Sequence, residues 1–166
     1  VEDSNISEVV IKLDDEDYYR GVHYDGKYSV ISNGEGVHTI EVMAVDKAGN
    51  IQSYSMSYYV DTSSSVIESG ELKGDCIDRG YGIYYKKNPT LSLKSSDTGV
   101  GVKKYVLYDI SGEEVEESQD GVFEITTGEY YVSVVDMLGN TSEKVSLASI
   151  CNLGSNNIVV DSDKPV

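Results

Sequence analysis

The chain has 166 residues, 39% of them hydrophobic, with 29 acidic side chains against 13 basic ones and a formal net charge of −16. That balance excludes nucleic acid and anionic membrane surfaces as partners, because both are bound through clustered Lys and Arg. No run approaches the roughly 18 apolar residues of a membrane span.

Acidity of this degree mainly keeps a secreted protein soluble. Tyr is the dominant large residue, at 14 copies against one Phe and no Trp. It suits half-buried strands, with its ring inward and its hydroxyl at the surface. The length fits one large domain or two modules of roughly 80 residues. There is no signal peptide, and the chain opens on Val1 and closes on Lys164-Pro165-Val166. It is expected to be a piece of a longer protein whose targeting and anchoring segments lie elsewhere.

Taken in order, the first unit reads as strands near 7–14, 17–20, 27–31, 37–45 and 51–60. Tyr24-Asp25-Gly26-Lys27 carries an Asp-Gly hairpin signal, and Asn33-Gly34-Glu35-Gly36 is a further break. The stretch Ile40-Glu41-Val42-Met43-Ala44-Val45-Asp46 alternates, with Ile40, Val42 and Ala44 on one face. The loop Asp46-Lys47-Ala48-Gly49-Asn50 then turns the chain, its Gly free to take positive φ and its Asp and Asn able to bond backbone N–H groups. The unit ends near Asp61.

The second unit begins near Thr62, after which Ser63-Ser64-Ser65 is too brief for a long tether. Strands are expected near 65–68, 81–86, 90–95, 102–109, 113–116, 121–126, 129–136, 142–149 and 157–161. The stretch Tyr130-Tyr131-Val132-Ser133-Val134-Val135-Asp136-Met137-Leu138-Gly139-Asn140 repeats the earlier hairpin. Asp97-Thr98-Gly99-Val100 echoes Asp3-Ser4-Asn5-Ile6, and Val159-Val160-Asp161-Ser162 echoes Tyr59-Val60-Asp61-Thr62. No helix is expected beyond a turn within Gly112-Glu113-Glu114-Val115-Glu116-Glu117. Short strands with Gly and Asp at the breaks imply a sandwich or barrel. The first unit lacks counterparts of the strands that open the second, which would leave core and a sheet edge bare.

These phrases resemble the bacterial immunoglobulin-like modules that occur in tandem in surface and secreted proteins, Ala44-Val45-Asp46-Lys47-Ala48-Gly49-Asn50 most of all. The resemblance implies an all-β chain of two tandem Ig-like β-sandwich modules, 1–61 without its N-terminal strands and 62–166 with insertions, ending in a linker to a following module. It implies stalks, spacers, adhesins or accessory domains of carbohydrate-active enzymes, in an extracellular or cell-surface setting. The second unit departs from the pattern at 74–87 and in about ten extra residues between Asn140 and Asp161.

Both cysteines, Cys76 and Cys151, fall in these departures. In an oxidising setting an even count invites a disulfide. A bridge closing a loop of about 75 residues would contribute roughly 4 kcal/mol in the chain-entropy picture, against two separate buried thiols as the alternative. Asp46, Asn50, Asp136 and Asn140 are weak calcium candidates, since calcium takes clustered oxygens; their other role is to satisfy turn amides. Asp14-Asp15-Glu16-Asp17 lacks EF-hand spacing and reads as a solvated hairpin end or a weak cation site. Tyr81, Tyr84 and Tyr85 either present rings to a glycan or host protein or pack in core and edge. Only His23 and His38 are histidines, and His38 is expected to pack at a sheet end. No Gly-x-Ser-x-Gly, phosphate loop or metal-spaced His pair is present, so no catalytic residue or cofactor is expected. The expected role is non-catalytic spacing within a larger bacterial surface or secreted protein, its partners the neighbouring domains. The alternative is an adhesin or a carbohydrate- or protein-binding module using the Tyr-rich insertion.

Overall fold

Strands dominate because apolar residues recur at every second position and Gly or Asp interrupts them. The structure, a computed structural model, describes residues 5–22, 27–31 and 34–163; His23, the Asp25-Gly26 turn, Asp3 and the closing Lys164-Pro165 phrase lie outside the described residues. The chain divides into unit 1, Val1–Thr62, and unit 2, Ser63–Val166.

Unit 1 holds β1 (Ile6–Leu13), β2 (Glu16–Gly21), β3 (Gly36–Asp46) and β4 (Ile51–Val60). They form one antiparallel sheet in the order β2-β1-β3-β4. The β1–β2 turn uses Asp14 and Asp15 at φ 52° and 68°, the paired left-handed residues that match the twist of a tight hairpin. Residues 27–31, expected as a strand, form none. The register stacks cross-strand rows on one face: Val9, Ala44 and Gln52; Ile11, Val42 and Tyr54; Leu13, Ile40 and Met56. The other face carries the polar row Lys12, Glu41 and Ser55, and also Val10, 1% exposed, beside Met43, so the sheet is apolar mainly, not solely, on its first face.

Unit 2 holds β5 (Val66–Lys73), β6 (Cys76–Asp78), β7 (Ile83–Tyr85), β8 (Thr90–Ser96), β9 (Val102–Asp109), β10 (Glu114–Ser118), β11 (Val122–Glu124), β12 (Gly128–Asp136), β13 (Val145–Ser146), α1 (Leu147–Ile150) and β14 (Asn157–Val160). One sheet runs β10-β9-β12-β14-β7-β6, with β13 also on β12; the other runs β11-β8-β5. Leu91, Leu93 and Phe123 from the smaller sheet meet Tyr105, Leu107, Val132, Val134 and Ile158 from the larger in one buried core. The chain is therefore all-β, and unit 2 is a two-layer sandwich. The trio β2-β1-β3 has the same pairing order as β10-β9-β12.

Unit 2 departs from the expected elements at two places, the segment 142–149 and β6. The strand at 142–149 is only Val145–Ser146 and then becomes α1, because the Ser146 side chain accepts a hydrogen bond from Ser149 N–H and caps the turn. Leu147 thereby reaches full burial. The acidic run at 112–117 turns and enters β10, near the strand expected at 113–116 and without a helical turn: Asp109 Oδ1 accepts from Ser111 and Glu113 N–H and fixes the reversal. β6 was not expected, and it pairs Cys76, Ile77 and Asp78 with Tyr85, Tyr84 and Ile83.

Candidate functional site

The repeated hairpin places its Asp and Asn together in both units. In unit 1, Asp46 Oδ1 accepts the Asn50 N–H at 2.8 Å and Oδ2 accepts the Asn50 side-chain amide at 2.7 Å. In unit 2, Asp136 Oδ1 accepts N–H bonds from Leu138, Gly139 and Asn140 at 2.9, 2.6 and 2.8 Å, and Oδ2 accepts the Asn140 side-chain amide at 2.7 Å. Gly49 and Gly139 sit at φ 86° and 98°, which aims these amides inward. The Asn50 side chain and then its backbone amide hold the Asp46 carboxyl below its ordinary value. For Asp136, burial pushes upward, and the bonds from Asn140, Gly139 and Leu138 outweigh it and leave the group lowered.

Asp97 repeats the device with no Asn. Its Oδ1 accepts from Gly99 and Gly101 N–H at 2.7 and 2.9 Å, and its Oδ2 accepts the Ser65 hydroxyl at 2.5 Å. Asp97 and Asp136 bring carboxylate oxygens within 4.8 Å of one another. A cation there would share oxygens that already receive one to three donors each. The calcium candidates are thus assembled in each turn as the sequence pairs them, with their oxygens engaged by N–H groups.

The three Tyr candidates separate. Tyr81 is 72% exposed, its ring edge-on to Tyr84 with centroids 6.3 Å apart, and Ile77 beside them is 53% exposed. Arg79 completes this patch with Ile77, Tyr81 and Tyr84. Tyr85 is 2% exposed and belongs to the core. Strand alternation explains the split, since Tyr84 and Tyr85 point to opposite faces of β7.

Cys76 and Cys151 are free thiols, so the expected bridge is absent. Cys76 is exposed on β6, at the end of its sheet. Cys151 packs against the core and lies beside Gly70, where an added Cβ would meet its sulfur at 2.8 Å. Burial pushes the Cys151 thiol up to about 11, which keeps it protonated and a poor nucleophile.

His38 is 9% exposed. Its Nδ1 lies 2.7 Å from Asp14 Oδ2, its Nε2 lies 3.1 Å from the Gly34 carbonyl, and its ring stacks on Tyr58. The expected packing role thus comes with a charge partner. The alternation of β3 predicts the face of His38, but the Asp14 contact spans 24 residues and has no local signal. Asp14 also accepts the Thr39 N–H, so the first acid of the 14–17 cluster is engaged by β3.

No protein-family model matches the chain, and no curated protein matches it. Among solved structures, it is similar to the fibronectin(III)-like modules of Clostridium thermocellum CbhA, at 15% identity over 96% of this chain and 81% of that chain, with a TM-score of 0.45. No helix among the described residues is long and apolar enough to cross a membrane.

Proposed function

We propose that the chain is a pair of non-catalytic structural modules that space other domains of a larger bacterial secreted or cell-surface protein. The observation that carries this reading is the use made of the acids: in both units the Asp-x-x-Gly-Asn carboxylate is bound by the amides of its own turn. Such groups hold a hairpin and are poorly placed to meet a substrate. The test is replacement within the parent protein. An unrelated pair of β-sandwiches should preserve the parent's activity, and an equally long Gly-Ser linker should not. Failure of the foreign sandwiches would overturn the spacer reading.

A second reading is supported by the exposed Tyr81 edge-on to the half-buried Tyr84, with Ile77 and Arg79 beside them. Flat rings beside a guanidinium suit the C–H faces and hydroxyls of a glycan, or an anchor residue of a host protein. Binding on a glycan array, or capture of a partner, that is lost in Tyr81→Ala and Tyr84→Ala with an unchanged melting midpoint would favour it over the spacer.

A further inference from the structure

The edge of a sheet offers a row of backbone N–H and C=O groups to any extended chain that comes alongside. Among the described residues the strands that end the sheets are β2 and β4 in unit 1 and β5, β6, β10 and β11 in unit 2. All but β4 are blunted. β6 and β11 have three residues each, and each carries an acid. β10 places Glu114, Glu116 and Glu117 in five residues and breaks register against β9. β5 carries Glu68, Glu71 and Lys73 and breaks register against β8. β2 carries Glu16, Asp17 and Arg20, and its register against β1 also shifts. Charge, shortness and bulges are the devices that stop a sheet from adding strands. β4 has none of them. Ile51–Val60 is ten residues with no charge, Pro or Gly, in a chain that is 25% charged. It pairs with β3 from end to end in unbroken register. Ile51 to Ser57 are exposed without interruption, Tyr54 at 67% and Met56 at 46%.

We propose that the free edge of β4 is a strand-addition surface whose occupant is β4 of a second copy of this chain, paired antiparallel about a two-fold axis. The sequence of β4 is self-complementary in that arrangement. With Ser55 at the axis, each Tyr54 lies opposite a Met56, each Ser53 opposite a Ser57 and each Ile51 opposite a Tyr59. Odd and even positions keep to their own faces, so Tyr54 and Met56 extend one face across both copies and the serines meet on the other. Aromatic, apolar and hydroxyl pairs of this kind stabilise antiparallel strands. A charged partner strand would meet no opposite charge on β4, whereas an identical strand meets no like charge. The pairing survives the −16 carried by each chain. The β3 carboxylate nearest the axis is that of Glu41, opposite Ser55. Its two copies stand three strand spacings apart, about 14 Å, beyond the Debye length of about 8 Å at physiological salt.

The test follows mass against concentration, by sedimentation or light scattering, for the 166-residue chain, for Ser55→Lys, for Ser55→Asp and for an equimolar mixture of the two variants. Ser55 is exposed, so the variants should keep the native circular dichroism. The expected result is a species of 18.1 kDa that doubles in mass as concentration rises, and more readily as NaCl screens the net charge. Each variant alone should weaken the dimer several-fold, because like charges meet at the axis, and the mixture should restore it. A chain that stays monomeric up to millimolar concentration would overturn the proposal. So would a dimer indifferent to both variants, or one that the mixture does not restore.

Discussion

At the scale of single residues the turns are held by backbone geometry and by carboxylates. Gly49 and Gly139 lie at φ 86° and 98° with nothing within 4 Å of an added Cβ. Gly139→Ala should therefore cost about 1 kcal/mol from backbone strain alone, and Gly139→Asn should cost less, because Asn tolerates left-handed backbone. Urea unfolding of the pair checks this, and equal losses would point to a steric origin. His38 and Asp14 give unit 1 a pH signature. The His38 pKa is raised from 6.5 by its bond to Asp14 and then by the Gly34 carbonyl. Its contribution is complete below 6.5 and is lost as pH climbs through the raised value. Asp14 is lowered from 3.8, first by the bond to His38; its contribution is present above 3.8 and disappears as pH falls through the lowered value. The pair thus supports unit 1 most between these limits. His38→Gln should flatten the alkaline side of the stability profile, read by a thermal melt at pH steps from 5 to 9. An unchanged slope would show that the contact contributes nothing.

At the scale of elements, equivalent positions should respond unequally. Val132 is fully buried between two sheets, and Val42 is half-buried on one. Val132→Ala should cost about 2 kcal/mol, from lost transfer energy and a residual cavity. Val42→Ala in this chain should cost less than about 1 kcal/mol, and equal losses in urea unfolding would show that unit 1's face is covered. The same contrast bounds what the sequence reveals. Period-two alternation placed β1, β3, β4, β9 and β12, since one face of each is apolar along most of its length. It failed at 27–31, where Tyr28, Val30 and the alternating polar residues resemble a strand but pair with none of the described strands. It failed again at α1, where Val145 to Ile150 has strand composition and a single cap at Ser146 decides otherwise. Of the candidate sites, the Asp–Asn turns were legible because each Asp bonds its own Asn four residues on. The burial of Tyr85, the separate thiols and the His38–Asp14 contact depend on chain pairing across long sequence distances, which no local pattern reports.

For the whole molecule the governing quantity is the net charge of −16. Among the described residues the Lys and Arg ion pairs that oppose self-repulsion are few and wet: Arg20 with Glu8 and Asp17, Lys73 with Glu71, and Lys104 with Glu117 all keep 30% or more of their side-chain surface exposed. Pairs of that kind contribute roughly 0–1 kcal/mol each. Repulsion among the unpaired acids should therefore win, and screening it should stabilise the fold. Raising NaCl from about 0.02 M to about 0.5 M, which shortens the Debye length from roughly 20 Å to under 5 Å, should raise the melting midpoint; a fall would mean that the attractive pairs dominate. Matched ionic strength in CaCl₂ extends the test to the neighbouring carboxylates of Asp97 and Asp136. With turn amides already holding those oxygens, calcium should give the same midpoint as sodium and EDTA should change nothing. An excess stabilisation by calcium that EDTA reverses and Asp97→Asn removes would mean instead that a cation completes the turn, because only a site filled in the native state adds stability beyond screening.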